Sequence, residues 1–119
     1  MCRAKALLQM KSAVWNGKLI ADISVVPIGT GSTSVSKEVA QVERVLAKFP
    51  LRTTLHANGT NIEGQWDDVS AAIKAIHTEL HESGIARVYC NMRWGSRTDK
   101  VQTMEDKVNK VKNILDESS

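Results

Sequence analysis

The sequence predicts an α+β domain: a four-stranded antiparallel sheet with helices on one face and an extra helix at the C-terminus. Three observations predict it. Short β-branched runs alternate with segments whose apolar residues recur every three or four positions. An Asn-Gly pair, the best former of a tight hairpin, joins two of the strand-like runs. The chain has 119 residues, enough for one hydrophobic core and too few to suggest two.

From Leu19 the run LIADISVVPIG, closed by Pro27 and Gly29, reads as the first strand, and TGSTS as a loop. Val35, Val39, Val42, Leu46 and Phe49 then step by four and three, the period of a helix with one buried face. Ser34 is its expected N-cap and Pro50 its stop. LRTTLHA and TNIEG flank Asn58-Gly59, which predicts a type I′ turn pairing Ala57 with Thr60, His56 with Asn61 and Thr54 with Glu63. After Trp66 a second helix carries Val69, Ala72, Ile73, Ile76 and Leu80, opened by Asp67 and Asp68 and stopped at Gly84. ARVYCNMRWG alternates as a fourth strand, and Thr103 with Asp106 caps a last helix with a stripe of Met104, Val108, Val111 and Leu115. The order βαββαβ followed by a helix is that of a ferredoxin-like sandwich, whose strands lie in the order fourth, first, third, second.

Because side chains alternate across a strand, the two faces can be separated. The helix-covered set is Ala21, Ile23, Val25, Leu51, Thr53, Leu55, Ile62, Val88, Cys90, Met92 and Trp94. The open set is Asp22, Ser24, Arg52, Thr54, His56, Asn61, Glu63, Arg87, Tyr89, Asn91 and Arg93. One wet face is ordinary for an antiparallel sheet. This one combines opposite charges, an imidazole and amides and lacks lysine, a composition suited to a polar ligand or a subunit interface.

The formal charge of +3 misleads: Arg3, Lys5, Lys11 and Lys18 lie in the first twenty residues with no acid, leaving the other 99 residues 12 basic against 13 acidic groups, a net of −1. The body therefore lacks the positive footprint of a nucleic-acid binder, and its open face offers Tyr89 alone where an RNA-binding sheet presents two or three stacking aromatics. Residues 1–18 are expected to be a basic, disordered extension, with a mitochondrial presequence as the alternative, and 19–119 the domain. Cys2 and Cys90 are expected to be reduced, in the cytoplasm, and no apolar run reaches the roughly 18 residues of a membrane span.

Other motifs are ambiguous alone. PIGTGSTS could hold an anion at a helix N-terminus, but it is neither GxxxxGK nor GxGxxG, and a glycine turn explains it equally well. His77 and His81 have chelating spacing without a third ligand, so no metal is expected. In WGSRTDK, Arg97 and Asp99 either clamp a ligand or pair with each other. No nucleophile triad or paired cysteine can be argued, and acylphosphatase-like hydrolysis is a remote alternative. The chain is expected not to be an enzyme and to need no cofactor.

Three separated segments, ADISVVPIGTGSTSVSKEVA, TTLHANGTNIEGQWDDV and RWGSRTDKVQTMEDKV, resemble the thiamine-binding, YkoF-like proteins, in particular their stand-alone single-domain members. The resemblance runs from about Leu19 to the end. It implies the same sandwich fold, assembly into dimers and a homotetramer as a dimer of dimers, and non-catalytic binding of thiamine or its hydroxymethylpyrimidine portion. The positions matching the family's motifs, and so implied to bind ligand, are Ser32, Thr33, Ser34, His56, Asn58, Thr60, Glu63, Arg93, Arg97 and Asp99. Glu63 or Asp22 would face the cationic ring or accept from the amino group, and Tyr89 would be the open-face aromatic.

Overall fold

A computed structural model of the chain describes residues 14–118. Seven elements follow the predicted order: β1 (Lys18–Ile28), α1 (Ser36–Leu46), β2 (Arg52–His56), β3 (Gly59–Gln65), α2 (Trp66–Glu82), β4 (Arg87–Gly95) and α3 (Met104–Ser118). The four strands form one antiparallel sheet in the order β2-β3-β1-β4. This is the ferredoxin-like arrangement. Beyond Ile23, β1 has β4 alone as a neighbour, so Pro27 loses no bond to a second strand.

The core forms where the two periodicities meet. Leu19, Ala21 and Ile23 of β1 and Ile62 of β3 pack against Val42, Val45 and Leu46 of α1 and Val69, Ala72, Ile76 and Leu80 of α2. Gly84, with φ of 97°, turns the chain out of α2 where a side chain would be strained. Thr53, Leu55 and Trp94 fall on the helix side of the sheet but remain exposed, Leu55 at 57% and Trp94 at 47%, because β2 and β4 are its edges.

Three local expectations are corrected. The hairpin turn is Ala57-Asn58, with His56 opposite Gly59, Thr54 opposite Asn61 and Arg52 opposite Glu63. Every positive φ among the described residues belongs to Gly17, Gly29, Gly31 or Gly84, so no type I′ turn forms at Asn58-Gly59. Two contacts explain the shift. The His56 ring accepts the Asn58 N–H through Nδ1 at 3.2 Å, and Gly59 is drawn into β3 where a Cβ would collide with the Ile23 carbonyl oxygen. The slip is by two positions, so the residues keep their face and change their partners. The second correction is that Val35, not Ser34, is the N-cap of α1 and makes no side-chain cap bond; the Ser34 hydroxyl turns to Ser36 Oγ, 3.3 Å away.

The third concerns the open face, which is partly covered. The first turn of α3 settles over Glu63, which is only 6% exposed and accepts the Met104 N–H at 2.7 Å. Lys18 Nζ and Arg52 Nη1 lie 3.6 and 3.7 Å from its other oxygen. Thr103 and Asp106 form the expected reciprocal cap, at 3.0 and 3.1 Å. Beyond that turn α3 projects from the sheet, with Val111 57% and Leu115 62% exposed. The radius of gyration of 18.4 Å accordingly exceeds the about 13 Å of a compact domain near this length.

Of the basic extension, residues 1–13, including Cys2, lie outside the described part. Trp15 stacks on Trp94 with centroids 5.9 Å apart, and Trp94 meets Trp66 at 5.3 Å. The Trp66 N–H donates to the Gly17 carbonyl at 2.7 Å, which ties this segment to the start of α2.

A charged groove on the sheet face

The strand register sets the site. Asp22 of β1 pairs with Arg93 on β4 and with Asn61 on β3, and Asn61 pairs with Thr54 on β2, so four polar residues cross the sheet in one row. In the next row Gly95 and Glu63 flank Ile20. Gly95 presents no side chain, and beside it opens a shallow groove of about 270 Å³ bordered by Asp22, Asn61, Arg93 and Ile20.

Asp22 is the acid of this groove. Its Oδ1 accepts from His56 Nε2 at 2.6 Å and its Oδ2 from Arg93 Nη2 at 3.2 Å. Because His56 Nδ1 already accepts the Asn58 N–H, the ring proton sits on Nε2 and points at Asp22. The turn thus orients the imidazole, and the imidazole orients the carboxylate. The His56 bond chiefly, then Arg93, holds the Asp22 carboxyl below its usual 3.8, against the opposing effect of burial. The result is an ionised carboxylate with lone pairs left for a ligand donor. Since backbone occupies the other imidazole nitrogen, this His-Asp pair orients a carboxylate and does not activate a hydroxyl or thiol.

The residues implied by the resemblance fall in several places. His56 and Arg93 hold Asp22. His56, Asn58 and Thr60 border a second hollow of about 240 Å³ between the hairpin and α1, walled by Val35, Val39 and Leu55. Thr60 is buried on the helix side and donates to Glu43 Oε2 at 3.1 Å. Glu63 lies under α3. Ser32, Thr33 and Ser34 occupy an exposed loop closed on itself, Thr30 Oγ1 accepting the Ser32 N–H and Ser32 Oγ the Ser34 N–H; they border neither hollow. Arg97 and Asp99 pair through two bonds, at 2.6 and 2.5 Å, and the Arg97 bond draws the Asp99 carboxyl down to about 2.

Tyr89 pairs with Val26, four residues along β4 from Arg93, so it stands about 13 Å from the Asp22 row. His77 and His81 rings are 6.2 Å apart and His81 Nδ1 donates to the Ile85 carbonyl; among the described residues no group of three potential metal ligands occurs. Burial pushes the Cys90 thiol pKa up. Asp22 and Asn61 were assigned to the open face by alternation, but their meeting with Arg93 depends on β1 lying between β3 and β4, which no local pattern reveals.

Fold and site together define a ferredoxin-like domain bearing a charged, ligand-sized groove on its sheet face. The chain belongs to the thiamine-binding protein family, whose model matches residues 21–112. A UPF0045 protein of Synechocystis is 49% identical over 100 residues, covering 84% of this chain and 82% of that protein. A UPF0045 protein of Eremothecium gossypii is 45% identical over 96 residues, covering 81% and 91%. Among solved structures, a hypothetical protein of Methanocaldococcus jannaschii superposes with a TM-score of 0.74 at 32% identity, over 81% of this chain and 97% of that one. A Thermotoga maritima protein, proposed for thiamine biosynthesis or salvage, shares the fold with a TM-score of 0.67 at 18% identity, over 79% and 98%. The family's name indicates small-molecule binding.

Proposed function

We propose that the protein is a non-catalytic binder of thiamine or its hydroxymethylpyrimidine portion, working in the cytoplasm as a homo-oligomer. The observation that carries this reading is the Asp22 carboxylate, held ionised and aimed by His56 and Arg93 beside a groove. A thiazolium or aminopyrimidine ring laid on Ile20 and over Gly95 would bring its positive charge or amino group to Asp22, with the Asn61 amide across the groove. Glu63 is the poorer candidate because it already holds α3. The Thermotoga protein's proposed place in thiamine metabolism and the family name point the same way.

Thermal-shift titrations test this. Thiamine or hydroxymethylpyrimidine should stabilise the protein by about 2.7 kcal/mol at a hundredfold excess over Kd. Asp22→Asn should abolish the ligand-induced shift, measured from the variant's own unliganded melting temperature. No response of the wild type at millimolar ligand refutes the reading.

A second reading, a purely structural homo-oligomer, draws on the apolar stripe of α3 and the bare edge of β2. Both readings share a dimer-of-dimers assembly, in which a second subunit laid over the shallow groove would deepen it. They part on whether a small molecule is released when gently purified protein is denatured.

A further inference from the structure

A third hollow, of about 140 Å³, lies where α3 begins, and Ile20 and Gly95 border both it and the Asp22 groove. The two therefore adjoin at the Ile20–Gly95 backbone pair. Their electrostatics differ. The groove is held by a carboxylate, whereas four cations, Lys18, Arg97, Lys100 and Lys107, line the hollow and no acid does. Two of these cations already have carboxylate partners: Glu63 Oε2 lies 3.6 Å from Lys18 Nζ, and Asp99 pairs with Arg97, while Asp106 is taken by the Thr103 N–H. Lys107 forms no ion pair among the described residues, and Lys100 feels Asp99 only at a distance. Gln102 is fixed at the rim, its Oε1 taking a bond from Arg97 Nη1 at 2.9 Å and its backbone oxygen facing Lys18 Nζ at 3.5 Å.

Lys100 and Lys107, with no direct carboxylate partner at the hollow, repel each other and their cationic neighbours unless an anion joins them. The volume suits a phosphate or diphosphate group, and flexible ammonium groups suit phosphate as point charges. We propose that this hollow binds a phosphate group, and that it takes the phosphate of a phosphorylated ligand whose organic part occupies the Asp22 groove. The first half stands on the hollow alone; the second rests on the function proposed above. In this arrangement the acid and the cations read opposite ends of one molecule, a positively charged or amino-bearing ring and an anionic tail.

Calorimetric titration of the full chain with inorganic pyrophosphate, thiamine and thiamine diphosphate separates the two halves. Pyrophosphate alone should bind, weaken as salt rises, and weaken at least about tenfold in the Lys100→Ala/Lys107→Ala variant. Thiamine diphosphate should bind wild type more tightly than thiamine does, and the double variant should erase that difference while leaving thiamine affinity unchanged. No pyrophosphate binding by wild type, or binding indifferent to both lysines, overturns the phosphate site. Thiamine and its diphosphate binding equally well overturns the linkage while the thiamine reading stands. Pyrophosphate binding without any thiamine binding overturns the thiamine reading and the linkage, and supports the phosphate site. Binding to a single-stranded RNA oligonucleotide but not to pyrophosphate overturns the proposal in favour of a nucleic-acid surface.

Discussion

At the scale of single residues, the groove depends on an absence. Gly59 lets β3 approach the Ile23 carbonyl, and a Cβ there would also come within 3.3 Å of His56 Cε1. Gly59→Ala should therefore destabilise the fold by about 1–3 kcal/mol, the range for overpacking against unyielding neighbours, read as a lowered midpoint in urea. It should also loosen His56 and so weaken ligand binding. Asp22 carries a pH signature. Its folded pKa lies below the usual 3.8. Its bonds to His56 and Arg93 therefore stabilise the protein above that range, and the contribution is lost as pH falls through the lowered folded value. The stability difference between wild type and Asp22→Asn should be constant near neutrality and shrink below about pH 4, as acid denaturation curves will show.

At the scale of elements, α3 attaches through one turn. Its docking uses the Glu63 carboxylate on the Met104 N–H and the Arg52 to Glu105 contact at 2.5 Å, while Thr103 and Asp106 cap it. Glu63→Ala should cost about 1–3 kcal/mol, because it strands the buried Met104 N–H and takes the carboxylate from Lys18, while Arg52 keeps Glu105. Thr103→Ala should cost about 1 kcal/mol, because it removes a single cap bond. Hydrogen exchange should place the Glu63→Ala effect in β3 as well as α3, and the Thr103→Ala effect in α3 alone. The identity and order of the elements were legible because each carries its own periodicity and its own stops, as the Val69 to Leu80 stripe and Gly84 do for α2. The hairpin register was not, because a close approach to Ile23 outweighed the turn preference of Asn58-Gly59. Nor was the fate of Glu63, since a buried carboxylate and a wet one look alike in a polar strand. The groove was half legible: alternation placed Asp22, Asn61 and Arg93 on one face, and only the order of the strands set them side by side.

For the whole molecule, the unusual feature is an amphipathic helix that leaves its own sheet. Val108, Val111 and Leu115 continue the stripe begun by buried Met104, and they are exposed in the single chain. Covering a side chain of this size is worth about 1.5–3 kcal/mol, so three of them provide a reason for chains to associate. Val111→Asp should shift the protein toward a monomer in light scattering while the far-ultraviolet circular dichroism of the monomer stays that of the wild type.

The chain's three tryptophans, Trp15, Trp66 and Trp94, all belong to one stack. Its ultraviolet emission therefore arises from a single corner of the sheet. Rings this close should also couple as excitons and give a couplet in circular dichroism. Trp15 enters from the segment before β1, and Trp66 opens α2. Unseating the leading segment would remove Trp15 from the group, reducing the couplet to that of Trp66 and Trp94 and reddening the emission before the core melts, giving a label-free gauge of how firmly that segment is held.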